Sequence, residues 1–128
     1  MGRFLLDTHA FLWLVQGDPQ LSEQARAVIC DDGNQLYFSV ASIWEIAIKL
    51  NIGKLKIGHT IEDIYTLLAQ LKIENLPIYR SDLIRYLTLP LHHRDPFDRV
   101  IIAQAIERDL VMVSADESFR SYPVQQLW

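Results

Sequence analysis

Asp7, Glu45, Asp98 and Asp116 are scattered along the chain, yet each falls where an apolar run meets a helix start. In an open α/β sheet the carboxyl ends of parallel strands share one edge, so acids distant in sequence can converge there in a single crevice. Carboxylates brought that close raise one another's pKa, and a divalent cation removes the repulsion. Hard oxygen donors without a cysteine or histidine triad suit Mg²⁺ or Mn²⁺ better than zinc. The chemistry such a site would do is metal-assisted cleavage of a phosphodiester.

Each acid also has a purely local explanation. Asp7 could cap the helix that follows it by accepting backbone N–H bonds. Glu45 stands three residues after Ser42, the spacing of a capping box. Asp95 could be the cap before Pro96 at the first helical position, with Asp98 the acid favoured in the first turn. Asp116, with Glu117, could open a short helix before Phe119. Four independent caps have no reason to share one sheet edge, and the shared edge favours a joint site. Thr8 and Ser114, neighbours of Asp7 and Asp116, could add hydroxyl ligands or orient the carboxylates from behind.

The elements that must position these residues alternate. Phe4 to Leu6 reads as a buried strand and Thr8 to Val15 as a helix, broken at Gly17-Asp18-Pro19. Ser22 caps a helix over Glu23 to Cys30, and Asp32-Gly33-Asn34 turns into a strand over Leu36 to Val40. A helix from about Ser42 to Leu50 follows, then another opening at Thr60 with apolar residues Ile61, Ile64, Leu67, Leu68 and Leu71 at helical spacing. Leu76 to Tyr79 suggests a short strand and Ser81 to Leu87 a short helix. Asp95-Pro96 starts a helix through Glu107, Leu110 to Val113 reads as a buried strand, and Val124 to Leu127 closes the sheet. The alternation predicts one α/β domain over residues 1–128, with a central parallel sheet flanked by helices.

Composition sets the outer bounds. The length of 128 residues suits one domain, and the apolar and charged fractions are those of a globular protein. A single cysteine, Cys30, excludes an internal disulfide, and no signal peptide or membrane span is evident, which fits a cytoplasmic setting. The net charge of −4 lacks the strongly basic footprint of many nucleic-acid binders. With four of the 16 acids set aside for cations, 12 remain against 12 Lys plus Arg, so local basic patches stay open. Lys49, Lys54 and Lys56 form one, and Arg94 with Arg99 flanks Asp98. His92 and His93 precede Arg94 in a loop and read as solvated. Trp13 and Trp44 lie on apolar helix faces, as expected for core or oligomer contacts, and Trp128 carries no signal. There is no Gly-rich phosphate loop and no serine or cysteine nucleophile motif, which argues against covalent catalysis.

Four segments in order resemble a PIN-domain ribonuclease, and specifically the VapC toxins of bacterial toxin–antitoxin pairs. They are Leu5-Leu6-Asp7-Thr8-His9-Ala10-Phe11-Leu12-Trp13, the run from Ser39 through Ile43-Trp44-Glu45 to Lys49, His93-Arg94-Asp95-Pro96-Phe97-Asp98-Arg99 onward to Ala105, and Ser114-Ala115-Asp116. The resemblance spans nearly the whole chain. It implies that Asp7, Glu45, Asp98 and Asp116 form the acidic quartet, with Asp7, Asp98 and Asp116 holding one or two Mg²⁺ or Mn²⁺ ions. Glu45 would ligate a second ion or orient water, and Lys49, Arg94 and Arg99 would steady an RNA backbone. It further implies cleavage of transfer or ribosomal RNA, a homodimer and an antitoxin partner that blocks the site. Two alternatives stand beside it. A metal-dependent phosphatase with Asp7 as nucleophile would usually place an acid two residues later, where this chain has His9. A non-catalytic RNA- or protein-binding module would show no metal dependence.

Overall fold

The computed structural model describes residues 1–92 and 95–128. Five strands, β1 (Arg3–Leu6), β2 (Gln35–Ser39), β3 (Ile73–Leu76), β4 (Val111–Val113) and β5 (Gln126–Leu127), form one sheet in the order β3-β2-β1-β4-β5. Every pairing is parallel, with Leu6 opposite Phe38 on one side and Val113 on the other. The helices are α1 (Thr8–Gln16), α2 (Glu23–Cys30), α3 (Val40–Asn51), α4 (Ile61–Gln70), α5 (Arg80–Thr88) and α6 (Pro96–Arg108), and a 3₁₀ turn spans Glu117–Ser121.

Strand side chains alternate between two cores, as the two-residue period of a strand requires. Leu6, Phe38 and Val113 face one core with Phe11, Ile29, Ile46 and Ile64, from α1, α2, α3 and α4. Leu5, Leu76 and Met112 face the other with Ile101 and Ile102 of α6. The predicted parallel sheet covered by helices on both faces is therefore the observed one. Among the described residues no helix is long and apolar enough to cross a membrane.

Two local expectations shift, and one helix end has no glycine to mark it. The third strand lies at Ile73–Leu76 rather than Leu76 to Tyr79, because Pro77 has no N–H to give a ladder. Helix α4 ends into Lys72, which takes a left-handed φ of 57° without the glycine that normally signals such a stop. Helix α3 starts at Val40, not near Ser42, and Ser39 is its cap, accepting from the Ala41 N–H at 3.0 Å. Thr60 opens α4 and Ser22 and Asp95 cap α2 and α6 as expected, Thr60 doing so in a capping box with Asp63.

Candidate functional site

Strand order reverses direction between β1 and β4: the chain moves outward from β1 through β2 to β3, then returns to β4 on β1's other side. Loops leaving two such strands part to opposite faces, and the crevice between them is where open α/β sheets bind ligands. Asp7 ends β1 there, and Ser114 to Asp116 follow β4. The Asp7 N–H donates to Val113 O at 3.0 Å, and the buried Ser114 hydroxyl donates to Asp7 Oδ2 at 2.9 Å. Asp7 sits at the cap position of α1, where its backbone carbonyl accepts from the Phe11 N–H at 3.2 Å but its side chain makes no cap hydrogen bond. Its side chain lines the crevice beside Asp116.

Glu45 has also escaped its local role. With Ser39 as the cap of α3, Ser42 and Glu45 lie within the helix, both buried. The Thr8 hydroxyl stands 2.9 Å from Ser42 Oγ and 3.0 Å from Glu45 Oε1. A carboxylate can only accept, so the single Thr8 proton belongs to Glu45 and Ser42 fills the remaining Thr8 lone pair. Lys49, one turn on, pairs with the other Glu45 oxygen at 3.1 Å. Asp116 Oδ1 accepts from the Ser118 N–H and hydroxyl, so this acid does cap the 3₁₀ turn as its local reading anticipated. Asp98 sits in the first turn of α6, whose cap is Asp95, bonded to the Phe97 and Asp98 N–H groups.

The electrostatics show that these separate elements converge. Burial pushes the Asp98 carboxyl up to about 8, and the negative charges of Asp95, Asp7, Glu45 and Asp116 add to the rise. Burial likewise lifts Asp7 to about 6, against the lowering effect of its Ser114 bond. Ionising all four acids together is costly, and a cation would relieve that cost. Among the described residues no three His, Cys, Asp or Glu side chains are already drawn into a metal-holding group. The quartet converges on one crevice without closing. As donors the acids fit a hard divalent cation, all being carboxylate oxygens with Thr8 and Ser114 hydroxyls behind them.

Of the basic residues expected to steady RNA, Lys49 lies at the site through Glu45, and Arg94 falls outside the described residues. Arg99 must be reassigned. It is buried, its guanidinium donates to the carbonyls of Pro90, Tyr86 and Leu89, and it stacks 4.8 Å from the Tyr86 ring. A charge in the first turn of α6 looked solvent-facing, but the α5–α6 connection closes over it. Sequence reasoning also missed Gln126. Its Nε2 donates to the carbonyls of Ser114 and Asp116 at 2.8 and 2.9 Å, fixing the Asp116 loop from β5. No sequence signal marks that role, since it depends on β5 lying beside β4. His9, beside Asp7, was noted only as a missing acid, although its position one residue into α1 put it next to the crevice.

Comparison with curated proteins gives no match. Solved structures of the same fold include VapBC2 from Rickettsia felis bound to a DNA fragment from their promoter, 14% identical, with a TM-score of 0.74 over 98% of this chain and 97% of that one. VapBC-1 from nontypeable Haemophilus influenzae is 19% identical, with a TM-score of 0.72 over 98% and 96% of the two chains. FitAcB from Neisseria gonorrhoeae is 20% identical, with a TM-score of 0.66 over the same shares. At these identities the likeness is one of fold. The model of the PIN domain matches residues 4–125, nearly the whole chain, and all five strands and the acidic crevice lie within or beside that span. The chain belongs to the PIN-domain family.

Proposed function

We propose that this protein is a metal-dependent endoribonuclease acting as a VapC-type toxin. The observation that carries the reading is the convergence of Asp7, Glu45, Asp98 and Asp116 on the switch-point crevice, with Asp98 held at about 8 by burial and the neighbouring acids. Such a cluster is unfavourable for folding, and a role for a divalent cation explains its presence. Asp7, Asp98 and Asp116 would hold Mg²⁺ or Mn²⁺, which when bound lowers the pKa of a water and offsets charge on the phosphate. Glu45, fixed by Thr8 and Lys49, orients the attacking water and takes up its proton. Lys49 and Arg94 steady the phosphate backbone without reading sequence. Water oxygen bonds to phosphorus as the bond to the leaving oxygen breaks, giving two RNA ends.

The toxin role, with transfer or ribosomal RNA as target and a cognate antitoxin as partner, is supported by the four-segment resemblance and by the two-component names, VapBC and FitAB, of similar solved structures. A homodimer is supported by the exposed stripe Trp44 and Ile48 on α3 and Ile52 at its C-cap, apolar at four-residue spacing. The test is incubation of the purified protein with total cellular RNA plus Mg²⁺ or Mn²⁺, alongside EDTA and Asp98→Asn controls. Discrete cuts that vanish in both controls are expected. Equal cutting by Asp98→Asn, or turnover of a small phosphate ester in place of RNA, overturns the reading.

A further inference from the structure

Beside Asp7 and Asp116 lies an open depression of about 280 Å³ whose remaining walls are His9, Trp13 and Ala115. Ala115 also walls a second depression of about 410 Å³, with Gln24, Glu117, Arg120, Gln126 and Trp128 among its lining. The two are joined by rings. His9 and Trp13 lie 5.8 Å apart between centroids, tilted by 43°, and Trp13 meets Trp128 edge-on at 5.6 Å. His9 is exposed, and Trp13 and Trp128 are half-buried against the core, so one side of the row stays open. Trp13, expected from sequence as a core or oligomer contact, therefore also faces the crevice.

The two depressions differ in chemistry. The first combines ring faces with two acids, surroundings that repel a phosphate but accept an uncharged base, since every base has a π-face to stack. The second offers the Arg120 guanidinium and the Gln24 amide, donors suited to a phosphate and a ribose. Glu117 in the same wall weakens its pull on an anion, which makes it a guide for a strand already held elsewhere.

We propose that His9 and Trp13 form a stacking subsite for one unpaired nucleotide next to the scissile phosphate, from which the strand continues past Trp128 towards Arg120. The proposal rests on the nuclease reading and narrows its substrate to a single-stranded loop or end. A base inside a duplex has no free face to stack, and the deep, narrow major groove of A-form RNA admits no side chain.

Photocrosslinking of the full chain to an RNA pool containing 4-thiouridine, in EDTA, followed by tryptic mass spectrometry, tests this directly. Crosslinks are expected in the peptides covering residues 4–26 and 121–128. Crosslinks confined to the peptide 27–49, which carries the exposed Trp44 on the other flank, overturn the proposal, as does an absence of crosslinks from a preparation that cuts RNA. Crosslinks in the expected peptides without any metal-dependent cutting keep the subsite and sink the nuclease reading. In cleavage assays His9→Ala should raise KM roughly tenfold with a much smaller change in kcat, the size expected for losing one base–aromatic stack. Trp13→Phe should retain binding that Trp13→Leu loses. An unchanged KM for His9→Ala and for Trp13→Leu, both folded by circular dichroism, contradicts the track. Crosslinks displaced from these peptides by RNA elsewhere, with only a protein partner protecting them, would reassign the track to that partner.

Discussion

Two acids at opposite ends of α6 have been treated in opposite ways. Asp82 of α5, fully buried, is met by Arg108 of α6, whose Nη2 donates to both carboxylate oxygens at 2.9 and 3.0 Å, and by the Tyr79 N–H at 2.8 Å. Arg108 in turn stacks 4.4 Å from the Tyr79 ring. Every demand of that charge is answered from within the fold, and the result ties α5 to α6. Asp98 lies in the crevice, where burial first and the surrounding acids second raise its pKa to about 8. Where a fold supplies a buried acid with its own counter-charge, the acid is structural. Where it gathers further acids, as around Asp98, the cluster suits the proposed role in holding a cation.

Breaking each acid in turn should separate catalysis from stability. Asp98→Asn should lower RNA cleavage by at least on the order of 10²–10³, the loss typical when one stabilising group leaves a reacting centre. Its Tm without metal should hold or rise, because a repelled charge has been removed. Asp82→Asn should do the reverse. It strands Arg108 and should lower the unfolding free energy by about 3 kcal/mol in urea titrations, with cleavage per folded molecule unchanged. Matching losses of stability in the two variants would erase the contrast.

A smaller effect sharpens the same comparison through pH. The folded-state pKa values of Asp7 and Asp98 stand above the unfolded 3.8, so the folded state binds these protons more tightly. The associated stability is fully present below about pH 3.8 and is lost as pH rises through about 6 for Asp7 and about 8 for Asp98. In EDTA the Tm should therefore decline over that window from these groups, and Mn²⁺ should raise it more at pH 8 than at pH 5. In Asp98→Asn the decline should flatten. An equal Mn²⁺ effect at both pH values would mean the cation binds elsewhere.

The smallest expected effect concerns the support of Glu45. Thr8→Val keeps the shape of the side chain and removes the hydroxyl between Ser42 and Glu45. Cleavage should fall about 10- to 100-fold, as when a residue that orients a ligand is lost. Stability should drop by only about 1 kcal/mol, measured by urea unfolding. A fall in stability with full activity would make Thr8 a packing residue alone.

Much of this was legible in the residues. The alternation of apolar runs and helical periods carries through to the parallel sheet, because both faces of the sheet are buried and the period-two pattern had nowhere else to point. Asp7, Asp98 and Asp116 were readable as strand-end and helix-start acids, and Asp95 as a cap. What was not readable depended on distant neighbours. Ser42 was read as the cap of α3, but the helix starts directly after β2 with Ser39 as its cap, which frees Ser42 and Glu45 for Thr8. Arg99 carries the same charge whether it faces water or three carbonyls, and the α5–α6 connection decided it. Trp44, read as an apolar-face residue, is 62% exposed and touches Phe97 edge-on at 5.2 Å. Gln126 and the Trp13–Trp128 pair depend on β5, a strand of two residues whose place beside β4 no local pattern encodes.

The claim that the converging acids are a cation site is tested most directly by isothermal titration of Mn²⁺ into metal-stripped protein at pH 8, beside Asp98→Asn and Asp82→Asn. Saturable binding that is lost in Asp98→Asn and kept in Asp82→Asn is the predicted result. Absence of binding by the unaltered protein, or binding that Asp98→Asn leaves intact, would contradict it.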